Sequence, residues 1–227
     1  KFKYKDYKQK AFTFNVKHEK RHHNLAIEKF LEEGPLAILP IIGKENNNYS
    51  SIVWSCNYPS YYVYLDKGER NIEPLIQDYF KKFYGKIEIA SKIKTWDLSL
   101  THSKKYTDHR LLLLGDAAHA IHPLAGQGFN LTLRGIDKLY NYAKLESKIA
   151  KDLGQKKYLL NYSRRHFIDV SVLIFATDKL NLLFSNSNFI LRELRRKGLF
   201  LFNKSKIINK VFKNYATKGI LFSLKDF

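Results

Sequence analysis

Residues 110–131 read RLLLLGDAAHAIHPLAGQGFNL and hold the strongest structural signal in the chain. The apolar run 111–114 ends at a glycine, a pattern typical of a strand buried on both faces. Beyond the glycine-bearing turn, apolar residues recur at helical spacing over 129–143, and Arg134 and Lys138 fall on the opposite side. The segment therefore predicts a strand, an acidic residue, a loop with proline and glycine, and a helix.

The chemistry of this segment centres on Asp116, which follows the predicted strand. Ligands of open α/β sheets bind outside the carboxyl ends of strands. Gly126 and Gly128 would let a flat ligand approach the backbone closely. The first amides of the next helix lack intrahelical acceptors and favour an electron-rich or anionic group. Because glycine-rich helix starts are common, the two glycines alone also allow a purely structural role.

A metal site is the alternative for the same segment. Asp116, His119 and His122 are spaced three apart and could share one face of a helix. Pro123 disfavours the helical conformation at His122, and no further acidic cluster supports such ligands. We therefore predict no metal here, and a packed or capping role for His119.

Composition limits the class of protein. The 227 residues are 44% hydrophobic, which is enough for a core and excludes a disordered basic tail. The single cysteine, Cys56, excludes an internal disulfide and a cysteine-cluster metal site, and fits a reducing compartment. No apolar run approaches the roughly 18 residues of a membrane span, and the charged start has no signal-peptide pattern. Since methionine is absent, we expect the chain to be a soluble piece of a longer cytoplasmic protein.

The formal charge of +19 has several interpretations. It could indicate nucleic acid or an anionic membrane surface as a partner. The abundance of Lys, Asn, Ile, Phe and Tyr is also what an AT-rich genome produces through codon usage. No nucleic-acid-binding motif accompanies the basic residues, so no nucleic-acid partner is expected.

Before residue 101, apolar residues repeat every second residue in some segments, as in strands, and about every 3.6 residues in others, as in helices. Phe12, Phe14 and Val16 predict a strand, and runs at 36–42 and 51–56 predict a hairpin. Two further alternating segments, at 87–93 and 96–100, predict more strands. Helices are predicted over 23–33, ended by Gly34-Pro35, and over 75–83, ended by Gly85. The region predicts an antiparallel sheet with helices on one side.

The residues from Lys156 onward are predicted to be helical and basic. An apolar face, Ile207, Ile208, Val211, Phe212 and Tyr215, lies opposite Lys206, Lys210 and Lys213. One interpretation is a helix packed on the domain with a solvated lysine face. The other is a peripheral membrane contact.

Residues 110–131 closely resemble the second flavin fingerprint of class A flavoprotein aromatic hydroxylases, especially the branch that hydroxylates ubiquinone precursors. Residues 22–40, 51–55, 162–184 and 192–198 resemble other segments of that branch. The resemblance implies an α/β protein with an α+β middle domain. Its parts would be an antiparallel-sheet substrate domain (1–103), the C-terminal part of an FAD-binding domain of the aromatic-hydroxylase type (104–155) and a basic helical region (156–227).

The resemblance also implies roles for individual residues. Asp116 would accept a hydrogen bond from the flavin ribityl chain, and Pro123 would lie beside the isoalloxazine. The pyrimidine side of the flavin would be wrapped by Gly126, Gln127, Gly128, Phe129, Asn130 and Leu131. No catalytic residue can be assigned.

The function implied is that of an FAD-dependent monooxygenase, which hydroxylates an aromatic ring of a polyprenylated ubiquinone precursor with NAD(P)H and O2. Peripheral contact with the cytoplasmic membrane would suit such a substrate. The alternatives are a flavin hydroxylase of a small soluble phenol and a non-enzymatic basic domain that binds membranes or nucleic acid.

The chain departs from the family pattern at three points. Thr132 stands where glycine is usual, and Gly135 stands where aspartate is usual. The Gly-x-Gly-x-x-Gly element that holds the ADP half of FAD is absent. We therefore expect these 227 residues alone to bind FAD weakly and to be inactive.

Overall fold

The computed structural model describes residues 1–43, 47–67, 69–147, 152–184, 193, 197–198, 200 and 204–218. The chain divides into two compact units, one of residues 7–98 and one of residues 1–6 with 99–227. Strands β1 (Phe2–His18) and β6 (Lys94–Ser103) contribute residues to both units. The domain bounds given above, and the roles attached to them, stay predictions.

The unit of residues 7–98 is built on an antiparallel sheet. Its other strands are β2 (Ile27–Phe30), β3 (Pro35–Pro40), β4 (Tyr49–Asn57) and β5 (Ile87–Ile89). The strand order is β2-β3-β4-β1-β6, and β5 also pairs with β1. The antiparallel pairing of β3 with β4 confirms the predicted hairpin.

The helices α1 (Tyr58–Lys67) and α2 (Glu69–Tyr84) also belong to this unit. Alternate β1 side chains, including Phe12 and Phe14, form one buried cluster with Trp54, Ile76 and Phe80. A strand places every second side chain on one face, which is why this alternation makes a core. Helix α2 ends as predicted.

The end of α2 is a glycine-specific turn. Gly85 has a φ of 71°, and its N–H donates to the carbonyl of Lys81. This left-handed residue after a helix is a conformation that favours glycine.

The helix predicted over 23–33 is wrong. Residues 27–30 form β2, which pairs antiparallel with β3. The connection is tight, because Leu31 and Gly34 exchange two backbone hydrogen bonds and Gly34 has a φ of 141°. A Cβ at Gly34 would lie 2.0 Å from the carbonyl oxygen of Ser55. Pairing with a neighbouring strand has overridden the local helical spacing.

Helix α1 was not predicted, although the sequence carries a signal for it. The side-chain oxygen of Asn57 accepts a hydrogen bond from the Ser60 N–H at 3.0 Å. Asparagine before a helix, followed closely by Pro59, is a known start signal.

Within the described residues, the second unit contains short strands and three α-helices. The end of β6 pairs antiparallel with β9 (His119–Ala120), and β7 (Thr107–Asp108) pairs with β8 (Leu111–Leu112). The helices are α3 (Gln127–Ser147), α4 (Lys156–Phe184) and α5 (Lys206–Lys218). No helix in the described part of the chain is both long and apolar enough to cross a membrane.

The strand predicted as buried on both faces is wrong. Only two residues of the apolar run form β8, and Leu111 is 51% exposed. Within the described residues β8 pairs with β7 alone, so no sheet surrounds it.

The buried face of α3 is also not the predicted one. The apolar residues Phe129, Leu133, Ile136 and Tyr140 are all exposed. The buried side carries Leu131 and Gly135 and includes the cations predicted for the solvent side. The reason is a buried carboxylate on α4, described below.

The C-terminal segment is described only in part. Ile207, Lys206, Lys210 and Lys213 are exposed, whereas Tyr215 is half-buried. The side chains of Ile208 and Phe212 and most of residues 192–198 lie outside the described part, so the predicted apolar face stays a prediction.

Candidate functional site

Asp116 lies in a tight turn directly after β8. The turn is a 3-10 helix, Gly115–Ala117, and Gly115 has a φ of 56°. A Cβ at Gly115 would lie 3.4 Å from the Thr132 Cγ2 atom, so the turn lies against α3. The Asp116 carboxylate is exposed and makes no hydrogen bond or ion pair with any residue that the structure describes. It is therefore available to a ligand.

The loop between β9 and α3 is fixed by its own polar contacts. His122 is buried, and its Nδ1 accepts a hydrogen bond from the Leu124 N–H at 3.1 Å. Burial lowers the pKa of His122 to about 4, so the ring is neutral at pH 7. Pro123 is half-buried and accepts a hydrogen bond from the Gly126 N–H at 2.8 Å.

Gly126 presents open backbone. Its φ of 59° is left-handed, and a Cβ placed there would meet nothing within 4 Å. This is the kind of position at which a flat ligand can approach the main chain.

The first turn of α3 follows at once. It begins at Gln127 and contains no acidic residue. Phe129 and Asn130 are exposed, and Gly128 is half-buried. Leu131 is fully buried, so only its backbone could serve a ligand. An uncompensated helix N-terminus favours negative charge nearby.

Two buried histidines lie beneath this loop. The Nε2 atoms of His119 and His166 are 3.2 Å apart, and Tyr162 stacks on His166. Burial lowers the pKa of both to about 4, with a further lowering by His102 at His119 and by the His119 ring at His166. Both rings are therefore neutral at pH 7, one donating and the other accepting the shared hydrogen bond. The packed role predicted for His119 is confirmed.

Gly135 makes room for this pair. A Cβ at Gly135 would lie 2.8 Å from the His166 Cε1 atom and 3.0 Å from the Tyr162 hydroxyl. The glycine found where the family usually has aspartate thus has a packing function here.

The buried carboxylate of Asp169 lies one turn further along α4. Lys138 donates to its Oδ2 at 2.8 Å, and the Arg134 Nε atom is 3.5 Å away. Burial raises the pKa of Asp169, but the Lys138 hydrogen bond and the two positive charges outweigh it and hold the pKa below its ordinary value. The carboxylate is therefore ionised and paired.

Helix α4 thus contacts residues on both sides of the loop between β9 and α3. His166 holds His119, which precedes the loop, and Asp169 holds Arg134, which follows it. Arg134 also donates to the side-chain oxygen of Gln127 at 3.4 Å. The loop that carries the predicted flavin residues is fixed by these buried polar contacts.

Sequence reasoning missed this set of contacts. The signal was Asp169 on the buried stripe of α4, at helical spacing from Tyr162 and His166. A buried carboxylate requires a cation, and Arg134 and Lys138 lie four apart on a single helix.

The site fits a flavin better than a metal. In the ranges that the structure describes, no group of three or more His, Cys, Asp or Glu side chains could hold a metal ion. The exposed carboxylate could accept a hydrogen bond from a ribityl hydroxyl of FAD, and the open glycine and the helix start without acids would suit its flat face and its electron-rich edge.

A family model described as FAD binding domain matches residues 16–167. The chain belongs to this family. The ubiquinone hydroxylase UbiL of Rhodospirillum rubrum is 31% identical over 210 residues, covering 92% of this chain and 48% of that protein. The 3-demethoxyubiquinol 3-hydroxylase of Escherichia coli is 28% identical over 212 residues, covering 92% of this chain and 52% of that protein.

These relatives confirm the resemblance to ubiquinone-pathway hydroxylases. The chain spans about half the length of the curated relatives it matches. Among solved structures, p-nitrophenol 4-monooxygenase PnpA from Pseudomonas putida superposes with a TM-score of 0.70 at 14% identity, covering 96% of this chain and 54% of that one. The likeness confirms the predicted fold class.

Proposed function

We propose that the protein serves as an FAD-dependent monooxygenase that hydroxylates an aromatic ring of a polyprenylated ubiquinone precursor, using NAD(P)H and O2. The observation that carries this is the exposed Asp116 carboxylate in a turn against α3, which has no hydrogen-bond or ion-pair partner among the described residues. The family membership and the relatives' names support the reaction class. Bound FAD would supply the electron transfer and oxygen activation that the reaction needs.

The residues of this chain would bind and orient the flavin. Asp116 would accept a hydrogen bond from the ribityl chain, and Pro123 would flank the ring system. The segment 126–131 would approach its pyrimidine edge, with the Phe129 and Asn130 amides as donors. Positive dipole ends stabilise charge best when they need no reorganisation.

Helix α4 would supply that rigidity. Sites work when neighbouring contacts hold their groups within a fraction of an ångström. The His119–His166 and Asp169–Arg134 contacts are buried and anchor both ends of the loop. We infer that they are positioning residues for the flavin loop.

The exposed apolar face of α3 supports a larger assembly. Phe129, Leu133, Ile136 and Tyr140 form a helical stripe of the kind that usually marks an interface. We infer that this stripe packs against the part of the relatives' length that the chain does not span. FAD binding by these 227 residues alone is therefore expected to be weak.

A peripheral membrane contact would suit a substrate with a long apolar chain. The exposed Lys206, Lys210 and Lys213 of α5 provide a basic surface for anionic lipid. Flotation with anionic liposomes at low salt would show co-migration of the protein, and its absence would exclude this contact.

The function is tested with the full-length gene product and two matched substrates, a phenol with a polyprenyl chain and the same phenol without it. Product is detected by mass spectrometry, and NADH and NADPH oxidation are followed separately. Hydroxylation of the prenylated phenol coupled to NAD(P)H oxidation is expected. Product from the unprenylated phenol alone would favour a soluble substrate, and no product from either would contradict the proposal.

A further inference from the structure

A groove of about 700 Å³ lies in the second unit, between residues 104–109 and α4. Its volume is in the range of small-molecule sites. None of the eight residues proposed for the flavin lines it. The residues that line it include four cations, Lys104, Lys105, Lys156 and Arg164, and three apolar residues, Leu160, Phe167 and Ile168.

The four cations differ from the cations of the same unit that are paired with acids. Lys5, Arg110 and Lys138 each have a carboxylate within ion-pair distance. No carboxylate of a described residue lies within that distance of the four groove cations. The acid in the lining, Asp108, accepts a hydrogen bond from the backbone of His109. Like charges around one cavity repel each other, and a bound anion would relieve this.

The groove also has an apolar wall. Ile168 is 52% exposed, and Phe167 and Leu160 are half-buried. The Phe167 ring stacks on His102 at 4.7 Å between ring centres, which fixes its position. An inorganic anion would use the cations and leave this wall in water.

We propose that the groove binds an amphiphilic phosphate, meaning an organic phosphate anion with an apolar group attached. Lysine and arginine side chains form strong charge-assisted hydrogen bonds with phosphate oxygens. The apolar group would cover Leu160, Phe167 and Ile168. The same chemistry occurs in a soluble phosphate monoester and in an anionic lipid headgroup, and the experiment separates them.

The test is calorimetric titration of the full chain with monomeric dihexanoylphosphatidate, and separately with inorganic pyrophosphate. Lys156→Gln/Arg164→Gln removes two groove charges. The matched control, Lys157→Gln/Arg165→Gln, removes the same charges one position along α4, from exposed residues that do not line the groove. The groove pair should weaken phosphatidate binding at least about tenfold, and the control less than about twofold.

A second variant tests the apolar wall. Ile168→Asn should weaken phosphatidate binding about threefold or more and leave pyrophosphate binding unchanged, because only the former has an apolar group to bury. Thermal melts of all variants identify any loss of folding. Equal weakening by both charge pairs, or no saturable binding of phosphatidate, would overturn the proposal.

The source of the ligand follows from sedimentation with phosphatidylcholine vesicles that contain phosphatidylglycerol. Co-sedimentation that the groove pair abolishes and the control keeps supports a lipid headgroup. Saturable phosphatidate binding without co-sedimentation supports a soluble ligand.

Discussion

The two units of the chain differ in the charge that they bury: both bury histidines, but among the described residues only the unit that contains residues 99–227 buries a carboxylate, Asp169. In residues 7–98 the largest fully buried side chains are Trp54, Tyr84, Phe12 and Phe80, which belong to one buried cluster. In the unit of residues 99–227 the buried set includes His119, His166, Asp169 and Thr177. The first unit is stabilised mainly by removal of apolar surface from water.

The second unit is organised differently. Buried ion pairs contribute little net stability, because desolvation offsets the attraction. They do fix geometry. We infer that the core of the first unit mainly supplies stability, whereas the buried polar contacts of the second unit also fix the position of one loop.

Removal of the largest core side chain tests the first half of this comparison. Trp54→Ala should lower the free energy of unfolding by about 3 to 5 kcal/mol, because it leaves a large cavity in a fully buried site. Urea denaturation measures this. Trp96→Ala is the control, because Trp96 is 57% exposed. An equal loss of unfolding free energy in both variants would contradict the role of Trp54 in the core.

The buried carboxylate tests the second half. Asp169→Asn should lower the free energy of unfolding by about 3 kcal/mol, since it leaves the nearly buried Arg134 and the half-buried Lys138 without a counter-charge. It should also weaken FAD binding in the full-length gene product. Asp152→Asn removes an exposed carboxylate paired with Arg110 and should change neither.

Acid should lower the free energy of unfolding of the second unit through the buried His119–His166 pair. The folded-state pKa of His119 and His166 is about 4, below the ordinary value of 6.5, so the unfolded chain takes up protons first. Their contribution is fully present above pH 6.5 and is lost as the pH falls towards 4, by a few kcal/mol in order of magnitude. The charged and titratable groups that influence the pair are His102, Asp116, Arg134, Lys138 and Asp169.

The measurement is the free energy of unfolding across this pH range. His166→Gln should flatten the decline, whereas His109→Gln, at an exposed residue, should leave it unchanged. A decline of the same slope in His166→Gln would show that the pair does not cause it.

Filling the space that Gly135 leaves for the His166 ring should have a smaller effect on stability. Gly135→Ala should cost about 1 to 3 kcal/mol, because the new methyl would meet the His166 ring. Gly128→Ala meets only Ile121, at 3.7 Å, and should be neutral or slightly stabilising. His166→Ala in the Gly135→Ala background should recover part of the loss, and strict additivity would argue against the clash.

How far the sequence predicts this fold depends on where the deciding contact lies. The core strand around Phe12 follows from local alternation, the hairpin that contains Trp54 follows from two neighbouring runs, and α2 follows from its spacing and Gly85. The segment 23–33 was misassigned because β2 exists through its pairing with β3. Elements whose structure is decided by residues close in sequence are predicted correctly, whereas elements decided by contacts with another segment are not.

The same applies to the candidate site. Residues 116–131 are marked by their own composition and by the family resemblance. The buried face of α3 was misassigned because Asp169, more than thirty positions away, attracts Arg134 and Lys138 inward. A local pattern cannot reveal a long-range charge partner.

The most direct test of the flavin site is the FAD affinity of Asp116→Ala in the full-length gene product, with Asp137→Ala as an exposed acidic control on α3. Because Asp116 makes no hydrogen bond or ion pair with a described residue, the melting temperature should not change. We predict that FAD binding weakens at least about tenfold in Asp116→Ala, as expected for loss of a charge-assisted hydrogen bond, and is unchanged in Asp137→Ala. Equal FAD affinity in Asp116→Ala and the unmodified protein would contradict it.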